Sequence, residues 1–187
     1  MRDAMKNETA MPDGVPSLSF RLADENDTDT VNALYQSVKG TPLCTWDEDY
    51  PGLREICRDI ETGNLYVLEQ SGTVIGAISI APERELDAFD GWRYRQNVGE
   101  FARAVIHPRF QGKHLAKVLV SNILAVMRDR GIEAVHLSVA KKNLPARKVY
   151  LGLGFQTVGE KEMWGNLYEL CELKFPLRSC GNNTLHP

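Results

Sequence analysis

Between an apolar stretch that stops at Pro108 and an amphipathic repeat that starts at Leu115, the chain reads Arg109-Phe110-Gln111-Gly112-Lys113-His114. The chemistry such a junction offers is anion binding. A strand that turns through a small residue directly into a helix presents unpaired backbone N–H groups at the positive end of that helix. A glycine lets the backbone approach without a Cβ in the way, and phosphates bind such places. Neither GxxxxGK[ST] nor GxGxxG is present, which excludes a Walker loop and a dinucleotide fingerprint. Charge gathers around the same region: Glu100 to Tyr150 holds ten basic and three acidic residues, so this segment carries +7 and the remainder −10 within a formal net charge of −3. From charge alone, solvated helix faces are the leading reading, with a compact polyanion site and a nucleic-acid face as alternatives.

The elements that position this junction follow from periodicity. The 187 residues, 43% hydrophobic and 25% charged, fit one globular domain and exclude a disordered or coiled-coil chain. Residues 1–16 read as a flexible tail, 17–176 as the domain and 177–187 as a second tail. SFRLA (19–23) reads as a first strand, with Val31, Leu34, Tyr35 and Val38 at helical spacing after it. A second helix is expected from Pro51, with Leu53, Ile56, Cys57 and Ile60 as its buried stripe and Cys57 as a core thiol. Residues 65–70 and 74–82 form a hairpin, 83–97 a loop, and 98–108 a strand before the helix that begins at Leu115. A buried strand (134–139), a helix from Asn143 to Leu151 and two closing strands complete an order β-α-α-β-β-β-α-β-α-β-β.

In this context Gln111, Gly112, Lys113, His114 and Ala116 resemble the acetyl-CoA signature of the GCN5-related N-acetyltransferase (GNAT) superfamily, Gln/Arg-x-x-Gly-x-Gly/Ala, with His114 where glycine is usual. The family's later motif, Asn-x-x-Ala-x-x-x-Tyr followed by Gly-Phe, stands as Asn143, Ala146, Tyr150 and Gly154-Phe155. The resemblance covers roughly residues 18–176 and implies an α/β GNAT fold: a mixed, mostly antiparallel twisted sheet of about six to seven strands flanked by four helices. It implies acetyl-CoA as cosubstrate, its diphosphate on Gln111, Gly112, Lys113, His114, Leu115 and Ala116, and its pantetheine along residues 103–107 between two splayed parallel strands. Lys113 and Lys117, with Lys141, Lys142 or Arg147 as further candidates, are the cations expected near the adenosine phosphate, and only Lys113 is tied to a motif position. Backbone N–H groups at Val105 and Ile106 would polarise the thioester carbonyl. Asn143 would bond the pantetheine or cap its own helix.

The reaction the resemblance implies is attack of an amine on a thioester. An alkylammonium has a pKa near ~10.4, so a proton must leave before attack. Glu100, expected to share a strand face with Ala102, Ala104 and Ile106, is the candidate general base, and an ordinary surface glutamate is its rival reading. Tyr150 matches the family tyrosine that protonates the departing thiolate. Loops 41–51 and 83–97 are the expected acceptor side, with Trp46, Tyr50 and Trp92 as substrate contacts for a small-molecule or peptide amine. The alternative function is a non-catalytic acyl-CoA-binding module.

Other classes find little support. Nucleic-acid binding lacks a helix-turn-helix, RRM or zinc signature. No apolar run spans a bilayer and no secretory signal is read at Met1, so a cytoplasmic protein without a membrane partner is expected, and the triplets at Asn7, Asn26 and Asn182 are not read as glycosylated. Cys44, Cys57, Cys171 and Cys180 form no Cys-x-x-Cys pair, so no metal centre or disulfide framework is expected. A homodimer is the assembly the resemblance carries.

Overall fold

In the computed structural model, residues 17–81 and 86–176 are described. Both expected tails, Pro82 and the start of the 83–97 loop lie outside them. The first strand, β1 (Leu18–Leu22), is followed by a capped 3-10 turn, in which Asp24 accepts from Asn26 N–H, and by α1 (Thr28–Gln36) and α2 (Leu53–Glu61). Then come β2 (Leu65–Gln70), β3 (Thr73–Ala81), β4 (Val98–Ile106), α3 (Leu115–Asp129), β5 (Ala134–Ala140), α4 (Leu144–Gly152), β6 (Gln156–Met163) and β7 (Asn166–Lys174). One seven-stranded sheet runs β1-β2-β3-β4-β5-β7-β6, antiparallel everywhere except between β4 and β5. The expected element order and the mixed sheet with four helices both hold.

Alternation along the strands divides the core. Leu68 and Ile78 face α3, where Leu119, Ile123 and Met127 are buried, while their neighbours Val67 and Ala77 face Val31, Leu34, Tyr35 and Ile56 of α1 and α2. Each valine, leucine, isoleucine or methionine among them taken from water contributes about 1.5–3 kcal/mol. A third cluster, Leu86, Trp92 and Leu170, covers the β7 end on the face opposite α4.

The helix α2 departs from the expected stripe. Its buried residues are Glu55, Ile56 and Asp59, whereas Leu53 is exposed and Cys57 is an exposed thiol rather than a core one. The helix starts at Leu53, with Gly52 rather than Pro51 at its boundary, and the Gly52 N–H donates to Glu55 Oε2 at 2.9 Å. Asp59 turns inward because Arg103 of β4 meets it there, Nη2 to Oδ2 at 2.8 Å. A buried cation outweighs the usual pull of a carboxylate toward water.

Candidate active site

Strands β4 and β5 pair only at Val98–Glu100 with Ala134–His136. Beyond this rung β4 continues through Phe101 to Ile106 and β5 through Leu137 to Ala140, with no pairing between them. The free side of β4 is an edge of roughly 20 Å at about 3.3 Å per residue, and its backbone groups call for a partner. His107 N–H donates to Ile75 O at 2.9 Å. Alternation therefore turns the Val105 N–H toward β3 as well and leaves that of Ile106 on the open side.

The edge runs into the junction that the sequence marks for anion binding. Gln111 Nε2 donates to Ile106 O at 2.9 Å, tying the turn to the strand end. Gly112 takes φ +76, and a Cβ there would meet no atom within 4 Å, so an open space lies over it. His114 takes φ +60 immediately before α3, and its exposed side chain makes no capping hydrogen bond. That left-handed conformation is the physical reason glycine is usual at this position. Leu115 anchors the helix in the core while Lys113 and Lys117 stand exposed beside its first turn. Among the later cations, Lys141 pairs with Glu160 at 2.6 Å and Arg147 with Glu169 at 2.5 Å, so both are engaged within the chain.

Glu100 sits on the last rung before the strands part and is only 6% exposed, which removes the surface-glutamate reading. Its expected face needs correcting. Arg103 takes φ +55 in a bulge where Ser79 faces Ala102 and Ala77 faces Val105. The extra residue resets the alternation: Ala104 and Ile106 join the α3 side with Phe101, and Glu100 lies on the opposite face.

Tyr150 is half-buried on α4, with its ring centroid 5.8 Å from Phe101 and 5.9 Å from Phe155. Burial pushes its phenol up to about 12, so the hydroxyl keeps its proton at neutral pH. Asn143 is the N-cap of α4, its Oδ1 accepting from Ala146 N–H at 3.2 Å.

The three predicted acceptor contacts are differently disposed. Trp46 is half-buried and edge-on to Tyr35 at 5.4 Å. Tyr50 is 38% exposed, and its hydroxyl oxygen accepts from Arg103 Nη1 at 3.1 Å. Trp92 is buried, donates to Leu86 O at 2.7 Å and stacks on His136 at 3.7 Å. The acidic loop folds on itself, with Asp47 accepting from the N–H groups of Asp49 and Tyr50. Sequence reasoning missed two groups here, the Asp59–Arg103–Tyr50 chain and His136. An arginine and a histidine inside apolar strand runs were the available signals.

The acetyltransferase (GNAT) family model matches residues 31–155. N-acetyltransferase 8F1 of Rattus norvegicus is 29% identical over 121 residues, 63% of this chain, which spans about half (52%) of that relative's length. The L-methionine sulfoximine/L-methionine sulfone acetyltransferase of Salmonella typhimurium is 22% identical over 162 residues, 79% of this chain and 85% of that one. Among solved structures, a GNAT-family acetyltransferase from Streptococcus agalactiae has a TM-score of 0.74 at 20% identity, covering 86% of this chain and 97% of that one. The acetyltransferase yncA from Salmonella typhimurium, solved with its cofactor acetyl-CoA, has a TM-score of 0.68 at 22% identity, covering 89% and 98%. At these identities the structures establish likeness of fold.

Proposed function

The chain belongs to the acetyltransferase (GNAT) family, and from that premise we propose that it moves an acetyl group from acetyl-CoA to a primary amine of a small molecule or peptide in the cytoplasm. One observation carries the reading: the edge of β4 left open after Glu100 leads through the 3-10 turn Pro108–Phe110 to Gly112 and the first turn of α3. The residues fit acetyl-CoA, because the space over Gly112 is clear and the N–H groups of the α3 start are the donors a diphosphate needs. Gln111, Gly112, Lys113, His114, Leu115 and Ala116 would hold it, with Asn143 beside the gap.

Acetyl-CoA supplies the activated acyl group as a thioester. Glu100, buried on the gap's last rung, takes the proton from the ammonium through water. The Ile106 N–H, on the open side of β4, donates to the carbonyl oxygen as negative charge builds there. Tyr150, protonated at neutral pH, donates to the leaving sulfur as negative charge develops there. Tyr50 and Trp46 border the acceptor side, whereas Trp92 is buried against His136 with its indole N–H bonded to Leu86 O.

Purified protein given labelled acetyl-CoA and a panel of polyamines, aminoglycosides, amino acids and peptides is expected to yield an acetylated amine detectable by mass spectrometry. Glu100→Gln then lowers kcat by about 100-fold or more, and Tyr150→Phe lowers kcat with acetyl-CoA affinity retained. Cofactor binding without any product would leave a non-catalytic acyl-CoA-binding module. Absence of calorimetric heat with coenzyme A and acetyl-CoA at millimolar concentration would overturn the reading.

A further inference from the structure

The turn that joins β6 to β7 carries a tryptophan where a hairpin ordinarily carries Asn, Asp or Gly. Met163 faces Asn166 across the ladder, so Trp164 and Gly165 alone make the turn, with φ +48 and +70. Two-residue turns with both central φ positive favour small residues, because a bulky side chain resists the left-handed region. Trp164 also leaves 65% of its surface in water, more than any other large hydrophobic residue among those described. Neither feature serves the fold, and a strained, exposed aromatic side chain points instead to something that it binds.

We infer that Trp164 is a specificity-determining residue of the acceptor side, laying its indole against an apolar or aromatic group carried by the amine. This deepens the acetyltransferase reading above and rests on it.

The place of Trp164 follows from a run of contacts that crosses from β7 to β4. Its ring stands edge-on to that of Tyr168 at 5.6 Å. Tyr168 faces Ala140, the last residue of β5, and by alternation shares its side of β7 with Leu170, which packs with Leu86 and Trp92 on the face opposite α4. Burial lifts the Tyr168 phenol above its ordinary range, a side-chain hydrogen bond with Thr45 acts against the rise, and Cys44 and Tyr50 lie close enough to add to it. Loop 41–51 therefore lies against β7 here. The same loop reaches β4 through the Tyr50 hydroxyl, which accepts from Arg103 Nη1 at 3.1 Å. Trp164 is thus the outer end of an arc, Arg103 to Tyr50 to Tyr168 to Trp164, across the part of the sheet where β4 and β5 do not pair. An open cleft of about 240 Å³ along Glu162–Leu167 leaves space against the indole.

Charge around the indole selects among substituents. Lys161 faces Tyr168 in the ladder and so projects on the indole's side of β6, whereas Glu162 faces Leu167 and projects on the other. Loop 41–51 presents Thr45, Cys44 and Tyr50 to Tyr168 rather than its carboxylates, and Asp47 is bonded to the loop's own N–H groups. A second ammonium on the acceptor would meet the lysine, which disfavours a polyamine. An uncharged ring or aliphatic group meets no such penalty, and an aromatic one gains from contact with the indole beyond the area it buries.

Two matched pairs of acceptors test the assignment: phenethylamine against ethylamine, and a peptide beginning with Phe against the same peptide beginning with Gly. The unaltered protein is expected to prefer the ring-bearing member by about tenfold or more in kcat/KM, and the pair that is turned over tells a free amine from a peptide. Trp164→Asn, which suits the left-handed turn, should cut that preference about tenfold through KM for the acceptor, raise Tm, and leave the calorimetric affinity for acetyl-CoA within about twofold. Trp164→Phe should keep most of the preference. No preference in the unaltered protein, or one that survives in Trp164→Asn, overturns the inference, and so does acetylation confined to acceptors without an apolar group. A lower Tm in Trp164→Asn assigns the ring to packing on Tyr168 and overturns it as well. All of these leave the acetyltransferase reading standing, since product still forms. Absence of product from the unaltered protein with every amine removes that reading, and the inference falls with it. Should Trp164→Asn not fold, the indole N–H resonance of Trp164 in the unaltered protein decides: it must shift on saturation with phenethylamine or the Phe peptide in the presence of coenzyme A, and one that stays fixed overturns the inference.

Discussion

His114 occupies a backbone conformation that its side chain resists. A left-handed residue other than glycine costs roughly 1–2 kcal/mol, and at φ +60, with no capping bond in return, His114 carries that cost within the folded chain. His114→Gly is therefore expected to raise the unfolding free energy by about 1 kcal/mol, less what glycine adds to the unfolded chain's entropy, as read by urea denaturation. Coenzyme A titration of the same variant separates two functions: weaker binding assigns the imidazole as a diphosphate donor, and tighter binding assigns it as a crowding group. The register of Gln111, Gly112 and His114 was legible in the sequence because turn and helix start are local. The face of Glu100 was not, because one extra residue at Arg103 reverses the alternation from which it was read.

At the scale of elements, the same bulge explains how α2 and loop 41–51 are tied to β4. Arg103, strained at φ +55, is held by Asp59 of α2 and bonds the Tyr50 hydroxyl, so one side chain links the strand that borders the gap with loop 41–51. Asp59→Asn is expected to destabilise the protein by about 3 kcal/mol, since it strands a buried guanidinium. Adding Arg103→Gly should recover part of that loss, because the orphaned charge and the backbone strain leave together. Urea midpoints of the two singles and the double complete the cycle, and additivity would refute the coupling. The order of strands and helices was legible from periodicity. The buried face of α2 was not, because the partner that draws Asp59 inward lies 44 residues away and a carboxylate without a visible partner reads as solvent-facing.

Across the whole molecule, the charge asymmetry takes on meaning only once folded. Part of the +7 segment is consumed internally: Arg147 and Lys141 pair with β7 and β6, and Arg130 bonds Asn64 and the Tyr66 hydroxyl across from α3. Lys113 and Lys117 remain exposed at the start of α3, next to the space over Gly112. The sheet, meanwhile, is interrupted at its centre, since β4 and β5 share one short rung between two well-paired halves. A ligand spanning that gap would bond an edge of each half and join them. Acetyl-CoA at about a hundredfold over its Kd should therefore stabilise the fold by about 2.7 kcal/mol. For a domain of this size that amounts to a rise in Tm of roughly 5–10 °C. The rise should shrink as salt is added, because the diphosphate and the two lysines attract each other across water. Thermal melts in rising acetyl-CoA at low and high ionic strength measure both effects. A Tm indifferent to ligand would mean that the gap is not where the cofactor joins the halves. A salt-independent rise would mean that Lys113 and Lys117 take no part in holding it.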